Sequence, residues 1–321
     1  MKRIGVLTSG GDAPGMNPCL RAVVRTALYR EAEVIGVRQG FDGLIRGEML
    51  PLRARDVGGI LQRGGTFLQT ARCPEFLEES GRRTALRILG KAGIEGLIVI
   101  GGDGSMRGAH ALSVMGFPVV GVPASIDNDV WGTNMSLGVD TALNTIMDAV
   151  DKLRDTASSH QRAFLIETMG RRCGYLALMA GVICGAEVIL IPEREVTLED
   201  IAAAIKDAYA RGKTHAIIVA AEGAPLKAPE VSERLNGLRV GFDTRVTILG
   251  HVQRGGSPTA FDRMLATRMG VRSVECMLEG QAGTMVGLSG REIVPVPLAE
   301  VVGRSRQANI EYFEMARILA R

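Results

Sequence analysis

The sequence predicts an α/β fold with parallel sheets, and three observations support that prediction. Short β-branched apolar runs without polar alternation recur along the chain, as is typical of parallel strands covered on both faces. Segments with helical periodicity lie between these runs, and such alternation favours parallel sheets. Glycines, 41 in all, cluster just after the apolar runs, where loops at a sheet edge are expected.

The strands are predicted from continuous apolar runs such as "RIGVL" and "GLIVI". The predicted strands are residues 3–7, 32–37, 96–100, 117–122, 163–167, 187–191, 215–220, 245–250 and 284–288.

The helices are predicted between these strands. In the first of them Asn17 is expected to cap and Pro18 to occupy the first turn. A long helix over 141–157 is expected to cross between two sheets. The predicted helices are residues 15–30, 105–115, 141–157 and 198–212.

Composition limits the function classes. With 321 residues the chain is long enough for two domains, a single large domain being the alternative. A hydrophobic fraction of 46% and a charged fraction of 23% are those of a soluble globular protein. The net charge of +3, without runs of like charge, gives no argument for nucleic acid.

Cysteine usage and the N-terminal residues predict a compartment. Five cysteines without a CxxC pair indicate reduced thiols rather than disulfides or a zinc site. The start "MKRIGVLTSGGD" lacks a signal-peptide pattern, and apolar runs stay well below the ~20 residues of a membrane span. We therefore expect a soluble cytoplasmic protein without a membrane partner.

The loops after the strands are the expected ligand-binding region, because open α/β sheets bind ligands at the carboxyl ends of their strands. They are rich in glycine, aspartate and arginine. The loops are "TSGGDAPGMN", "GGDGS", "PASIDND", "TMGRRCG", "AEGA" and "HVQRGGS".

Two of these loops are suited to phosphate. Glycine beside a helix start lets backbone N–H groups approach an anion, and the helix dipole adds attraction. "SGGDAPGMN" and "GGDGS" fit that role, although neither is a P-loop or a GxGxxG motif, and simple tight turns are the alternative. "GGDGS" also resembles segments of NAD kinases and lipid kinases.

The aspartates in these loops predict phosphoryl transfer. Asp103 lies among glycines, where a carboxylate would repel phosphate unless a cation such as Mg²⁺ lay between them. Asp127 and Asp129 follow a strand on the acceptor side, and one of them could take a proton from an attacking hydroxyl. Arg72 and Arg171 could neutralise developing charge.

Taken together, the motifs resemble the bacterial type of ATP-dependent 6-phosphofructokinases over essentially the whole chain. The motifs that carry the resemblance are "GVLTSGGDAPGMN", "RGGT…TARCPEF", "VIGGDGS", "SIDND", "GVDTALNT", "RDTASSHQR", "MGRRCGYLAL", "GAEVILIPE" and "LGHVQRGGSPTAFDR". The resemblance implies two similar three-layer α/β/α domains with mainly parallel sheets and an active site in the cleft between them. It places a nucleotide-binding domain at 1–138 plus 257–306, and a sugar-phosphate-binding domain at 139–256 plus 307–321.

The resemblance also implies a reaction, the transfer of the γ-phosphoryl of MgATP to the 1-hydroxyl of fructose 6-phosphate. Asp127 would be the catalytic base, assisted by Ser125, Arg72 and Arg171, and Asp103 would be the magnesium ligand. The implied nucleotide-binding residues are Gly11, Arg72, Cys73, Gly102, Asp103, Gly104 and Ser105. The implied sugar-phosphate-binding residues are Ser125, Ile126, Asp127, Arg162, Met169, Gly170, Arg171, Glu222, Arg245, His251, Val252, Gln253 and Arg254.

Assembly and regulation are implied in the same way. In the family the equivalents of Arg162 and Arg245 come from a neighbouring subunit, which implies a homotetramer with shared active sites. An effector site for ADP and phosphoenolpyruvate is implied as well. Its residues would be Arg21, Arg25, Arg154, Gly185, Glu187, Arg211 and Lys213.

Some positions depart from the family pattern. Phe41 stands where a tyrosine is common near the nucleotide, which keeps stacking but loses a hydroxyl. Ser125 replaces a threonine, and Trp131 follows Asp129 where a proline is familiar. Thr214 stands where a second basic effector residue often occurs.

The phosphoryl donor is indicated by two small residues. Diphosphate-dependent relatives typically carry Asp at the position of Gly104 and Lys at that of Ala124, so this sequence favours ATP.

The sequence disfavours two other functions. A dinucleotide-binding oxidoreductase is disfavoured because the first strand lacks a following GxGxxG with an acidic residue about 20 positions on. A non-catalytic nucleotide sensor is disfavoured by the intact Asp103, Asp127 and arginine set.

Overall fold

The computed structural model describes residues 1–320, which divide into two compact units. The first unit comprises Met1–Thr141 and Gly255–Ser305, and the second comprises Ala142–Arg254 and the C-terminal residues from Arg306. The assignment of a nucleotide to one domain and a sugar phosphate to the other stays a prediction.

The strands are almost all those that the sequence predicts, with small shifts at their ends. They are β1 (Arg3–Ser9), β2 (Glu33–Val37), β3 (Met49–Leu52), β4 (Gly96–Gly101), β5 (Val119–Pro123), β6 (Arg162–Thr168), β7 (Val188–Leu190), β8 (Ala216–Ala221), β9 (Asp243–Ile248), β10 (Thr284–Ser289) and β11 (Glu292–Pro297).

The helices include seven that the sequence analysis did not predict. They are α1 (Met16–Tyr29), α2 (Gly40–Arg46), α3 (Glu79–Lys91), α4 (Asp103–Val114), α5 (Val139–His160), α6 (Tyr175–Ile183), α7 (Leu198–Ala210), α8 (Ala228–Gly237), α9 (Ala260–Leu278), α10 (Leu298–Val302) and α11 (Glu311–Leu319). Two 3₁₀ helices, Pro74–Leu77 and Gly250–Arg254, lie in loops.

The first unit is built on a seven-stranded sheet in the order β11-β10-β5-β4-β1-β2-β3. Its central strands are parallel, and the edge strands β3 and β11 pair antiparallel. The strand β4 is buried at every residue. Buried side chains such as Leu7, Leu97, Met106 and Leu112 form the core on one face of this sheet.

The second unit is built on a parallel four-stranded sheet in the order β7-β8-β6-β9. Its core combines sheet residues such as Leu165 and Ile218 with Ile205 of α7 and Leu235 of α8. The α/β class with mainly parallel sheets is therefore confirmed.

The start of α1 differs from the prediction. The helix is capped by Gly15, whose φ of 105° is readily adopted only by glycine, and Asn17 makes no capping bond. The Oδ1 of Asn17 instead accepts a hydrogen bond from the N–H of Phe67 at 2.7 Å, and its Nδ2 donates to the carbonyl oxygen of Arg63 at 3.0 Å. The capping prediction was wrong because this buried amide is needed to hold the loop around residues 63–67.

Helix α5 carries the chain from the first unit into the second, because the boundary falls between Thr141 and Ala142. Its N-terminus is held by Asp262, which is fully buried. The carboxylate accepts hydrogen bonds from the N–H of Gly138 at 2.9 Å and from the N–H and hydroxyl of Thr141 at 2.8 and 2.6 Å. Burial nevertheless raises the pKa of Asp262 above its ordinary value.

Within residues 1–320, every helix is too short or too polar to cross a membrane.

Candidate active site

Three loops meet at the carboxyl ends of β1, β4 and β5, which are neighbours in the sheet of the first unit. A Cβ added to Gly10, after β1, would lie 3.3 Å from the Oγ of Ser105. A Cβ added to Gly102, after β4, would lie 3.5 Å from the Cβ of Ser125, after β5. The predicted phosphate loops and the predicted base loop are therefore adjacent, as the strand order requires.

Helix α4 begins directly after the glycines of "GGDGS". Gly102 is its N-cap, and the first backbone N–H groups of the helix provide the donors and the positive dipole end that bind anions. Gly104 and Gly11 are both exposed, and an added Cβ at Gly104 would meet no described atom within 4 Å. The backbone is thus open to a phosphate group at this point.

Asp103 is the acidic residue of this helix start, and its side chain is 31% exposed. Its Oδ2 lies 3.0 Å from the Nε of Arg107, one helical turn further on. Arg107 was not among the predicted site residues, although its i,i+4 spacing from Asp103 on a predicted helix could have indicated this pair.

In the loop after β5, which carries the predicted base Asp127, a residue with a left-handed backbone lies between the two aspartates. Asn128 between them has a φ of 53°, a left-handed conformation that asparagine tolerates better than most residues. Asp127 is 7% exposed, and its N–H donates to the Oγ of Ser125 at 3.3 Å. The same hydroxyl donates to Asp129 at 3.1 Å. The Ser125 hydroxyl therefore links the backbone amide of Asp127 to the carboxylate of Asp129.

The backbone of this loop is fixed by the buried amide of Asn128. Its Oδ1 accepts from the N–H of Ser136 at 3.0 Å, and its Nδ2 donates to the carbonyl oxygen of Asn134 at 3.3 Å. The side chain of Ile126 is buried, so a sugar contact at that position would have to come from its backbone.

The segment "TARCPEF" contributes a cation and a thiol. Arg72 is exposed, and Cys73 is half-buried. Burial raises the pKa of Cys73, while the N–H of Phe76 lowers it. Phe41, expected to stack near a nucleotide, is buried and stacks on Phe76 with ring centroids 4.1 Å apart. Phe41 therefore has a packing role in this structure, and contact with a nucleotide stays a prediction.

The second unit presents another group of predicted residues at the carboxyl ends of its strands. The turn Met169–Arg171 follows β6, Glu222 follows β8, and the 3₁₀ helix Gly250–Arg254 follows β9. The Oε1 of Glu222 accepts hydrogen bonds from the N–H groups of Gly170 and Arg171 at 3.2 and 2.8 Å. The side chains of His251 and Val252 are exposed, whereas Gln253 is fully buried.

Two arginines predicted for the same phosphate cluster lie elsewhere in this sheet. Arg162 is the first residue of β6 and pairs in register with Asp243, the first residue of β9. With a rise of roughly 3.3 Å per residue, Arg162 lies about 20 Å along the strand from Thr168, where the Met169 turn begins. Arg245 is the third residue of β9, before the 3₁₀ helix that carries His251. Within residues 1–320 the four members of the predicted 6-phosphate cluster are thus not brought together.

A family model described as Phosphofructokinase matches residues 3–277 of the chain. The chain belongs to the phosphofructokinase family. The resemblance seen in the motifs is therefore confirmed.

Several relatives in the phosphofructokinase family match over the full length. The ATP-dependent 6-phosphofructokinase of Thermotoga neapolitana is 54% identical over 321 residues, covering 100% of both chains. That of Bacillus cytotoxicus is 51% identical over 320 residues, again with full coverage of both. A solved structure of Pichia pastoris phosphofructokinase in the T-state matches with a TM-score of 0.90 and 39% identity. That match covers 94% of this chain and 35% of the longer yeast chain.

The residues that the phosphofructokinase resemblance assigns to an effector site fall into two groups. Arg21 and Arg25 lie on α1 of the first unit. In the second unit, Lys213 contacts the carboxylate of Glu187 at 2.9 Å, and the guanidinium of Arg154 donates to the carbonyl oxygen of Cys184, beside Gly185. Arg211, exposed, donates to the carbonyl oxygen of Ala320 at 3.3 Å.

His215 joins this group, although it was not predicted from the sequence. Its Nδ1 lies 2.8 Å from the hydroxyl of Ser158. Burial lowers the pKa of His215, and the charge of Arg154 and Lys213 acts in the same direction while Glu187 opposes it. The only sequence signal for His215 was its position two residues after Lys213.

Proposed function

We propose that this chain transfers the γ-phosphoryl group of ATP to the 1-hydroxyl of fructose 6-phosphate, producing fructose 1,6-bisphosphate and ADP in glycolysis. The observation that carries the proposal is the buried Asp127 in a loop that touches the glycine loop of α4. Full-length relatives named ATP-dependent 6-phosphofructokinase support the same substrates.

In this reaction the protein contributes positioning and charge more than covalent chemistry. The loops at Gly11 and Gly102–Ser105 cradle the phosphates with backbone N–H groups. Asp127 accepts the proton of the sugar hydroxyl, a contribution typically worth 10²–10⁴-fold in rate. Ser125 and the left-handed Asn128 fix the backbone from which that carboxylate projects.

Mg²⁺ fits the residues at the start of α4. The part of the chain that the structure describes holds no cluster of three or more side chains that could bind a metal alone. Mg²⁺ needs no such cluster, because it usually retains waters and binds through one or two carboxylates and the substrate's phosphates. Asp103, partly exposed beside the phosphate loop, would supply that carboxylate. When bound, the ion would neutralise charge on the phosphates; Arg72 and Arg171 supply further positive charge from the chain itself.

ATP is favoured over diphosphate as the donor by the space at the helix start. Gly104 leaves the region in front of α4 open, where an aspartate would place a second negative charge. Ala124 is a small residue with 1% exposure, and a lysine at this position would bring a cation into that region.

The sugar phosphate is assigned to the cations of the second unit. A phosphomonoester dianion calls for several donors, and guanidinium groups bind it in a bidentate manner. The separation of Arg162 and Arg245 from His251 and Arg254 supports a site completed by a second copy of the chain. A homotetramer with shared sites follows as part of this proposal.

Regulation by ADP and phosphoenolpyruvate is assigned to the effector residues predicted above. Arg154, Arg211 and Lys213 lie with Glu187 in the second unit and would bind a phosphate group there. Arg21 and Arg25 of α1 complete the proposed set. The polar but uncharged Thr214 removes one cation that relatives often carry.

A coupled assay that compares ATP with diphosphate as donor tests the proposal, using wild type and Asp127→Asn. We expect turnover with ATP only. We expect the variant to retain its KM values and to lose at least about a hundredfold in kcat, because the amide cannot accept the proton. Turnover with diphosphate would contradict the donor assignment, and near-normal kcat in Asp127→Asn would contradict the base.

A further inference from the structure

The turn after β6 has an unusual backbone. Gly170 has a φ of 142° and Arg171 a φ of 51°, a left-handed value for a residue with a side chain. A Cβ added to Gly170 would lie 2.5 Å from the carbonyl oxygen of Cys173, and one added to Gly223 would overlap the carbonyl oxygen of Arg171. Such backbone geometry is strained and persists only where the surroundings enforce it.

The surroundings enforce it from both neighbouring strands. Strand β6 lies between β8 and β9, so the turn is flanked on each side by a segment that follows a strand end. From the β8 side, Glu222 accepts hydrogen bonds from the N–H groups of Gly170 and Arg171. From the β9 side, the Oε1 of Gln253 accepts a hydrogen bond from the N–H of Met169 at 3.0 Å. Three successive backbone amides are thus held by two side chains.

Gln253 is unusual for a residue at a substrate site, because its side chain is fully buried. Its Nε2 has no hydrogen-bond partner among residues 1–320. Within that part of the chain, the side-chain amide of Gln253 therefore makes its hydrogen bond to the N–H of Met169 through Oε1. Burying an amide with one end unsatisfied is costly. The one hydrogen bond of this buried side chain goes to the turn that carries Arg171, which indicates that Gln253 stabilises that turn.

We propose that Gln253 is a positioning residue, which fixes the Met169–Arg171 turn through the Met169 amide and does not itself touch the sugar phosphate. The substrate contact that the family resemblance implies for Gln253 is replaced by this indirect role. The inference rests on the proposed function, because the turn carries Arg171, a cation assigned to the transferred group. Its structural part, the clamp on Met169, does not depend on which substrate is bound.

Two variants of equal side-chain length separate the clamp from simple packing. Gln253→Met removes the acceptor and leaves the Met169 N–H without its partner. Gln253→Glu keeps an acceptor oxygen for the Met169 N–H, because a carboxyl group accepts hydrogen bonds in both its protonation states, and it removes only the amide nitrogen that is unpaired here. Asn236→Leu is the control, since Asn236 accepts from the N–H of Thr244 at 2.7 Å in the same unit.

Hydrogen exchange at Met169 is the first measurement, made on the full-length protein. We expect Gln253→Met to accelerate exchange of this amide at least about tenfold, because a backbone hydrogen bond is lost. Gln253→Glu should stay within about threefold of wild type, and Asn236→Leu should leave Met169 unchanged. Wild-type exchange at Met169 in Gln253→Met would overturn the proposal.

Steady-state kinetics are the second measurement. We expect Gln253→Met to lower kcat/KM for fructose 6-phosphate more than tenfold with KM for ATP unchanged, because small displacements of a positioning group cost up to about 10²-fold. Gln253→Glu should restore most of this loss, and Asn236→Leu should lower thermal stability without changing the kinetics. Faster exchange with unchanged kinetics would reduce Gln253 to a structural residue and overturn its positioning role.

Two further outcomes are distinguishable. If Gln253→Met does not fold, Gln253→Asn replaces it, because the asparagine side chain is about 1.5 Å too short to reach the N–H of Met169. Wild-type hydrogen exchange at Met169 in Gln253→Asn would overturn the clamp. If wild-type protein fails to phosphorylate fructose 6-phosphate, the proposed function fails, and the exchange measurement still decides whether Gln253 clamps the turn.

Discussion

The Nε of Arg107 lies 3.0 Å from the Oδ2 of Asp103, so the carboxylate proposed to hold Mg²⁺ is already paired with a cation of its own helix. The two residues are one turn apart at the start of α4, and the arginine side chain is 62% exposed. Exposed pairs of this kind contribute about 0.2–1 kcal/mol. A bound metal–nucleotide complex can therefore displace Arg107 from the Asp103 carboxylate. Arg107 nevertheless competes with the metal for that carboxylate to a measurable extent.

Removal of this competing cation is expected to favour the metal. In Arg107→Met the apparent dissociation constant for Mg²⁺, measured by titration at fixed ATP, should fall by up to about fivefold, which corresponds to about 1 kcal/mol. Direct Mn²⁺ binding in the presence of nucleotide should change in the same direction. Arg83→Met is the matched control, because Arg83 and Glu79 form an equally spaced pair at 2.6 Å on α3. Weaker metal binding in Arg107→Met would show that this arginine binds the nucleotide instead.

The distance between the predicted phosphate-binding arginines leads to a test of shared sites. Arg162 lies at the start of β6, whereas Arg254 lies in the 3₁₀ helix that follows the other end of the neighbouring strand. We expect Arg162→Ala and Arg254→Ala each to raise KM for fructose 6-phosphate far more than KM for ATP. If sites are built from two copies of the chain, dissociating and reassembling a mixture of the two variants should produce activity that neither has alone.

The control for this mixture is each variant reassembled with itself, which should stay at its own low activity. A mixture whose activity equals the mean of its two components would place both arginines in a site formed by one copy.

Much of the fold could be predicted from the sequence because the parallel strands are continuous apolar runs. "GLIVI" became the fully buried β4, and its pattern has few alternatives in a soluble protein. The antiparallel edge strands β3 and β11 were missed, since "MLPL" and "EIVPVP" contain proline and are partly exposed. Proline is tolerated at edges, where its lack of an N–H costs no ladder bond.

The site was predictable in its residue types but not in its connections. Asp103 and Asp127 were identified by their place after strands, where the sheet brings successive loops together. The pairing of Gln253 with Met169 spans 84 residues of sequence. Such a bond depends on the order of β8, β6 and β9 in the sheet, which no local pattern specifies. Asn17 was misassigned for the same reason, as its partners belong to a loop about 50 residues away.

The buried Asp262 leads to a prediction of how stability depends on pH. Burial raises its pKa, helped by the nearby charge of Asp140, while hydrogen bonds from Thr141 and Gly138 act against the shift. With a raised pKa, the folded state retains a proton over a pH range in which the unfolded chain has lost it. Stability from this group therefore falls as pH rises from its ordinary pKa of 3.8 through the folded-state pKa.

Asp262→Asn removes this dependence, because the amide does not titrate, and it also loses one of the acceptor oxygens that hold α5. We expect the variant to have a lower Tm than wild type at every pH, with the largest deficit near pH 4 and a smaller one toward neutral pH. Thermal unfolding over that range measures the difference. Asp148→Asn, which removes an exposed carboxylate from the same helix, should differ little from wild type throughout. A deficit for Asp262→Asn that grows with pH would mean that hydrogen bonding outweighs burial and that the folded-state pKa of Asp262 is lowered.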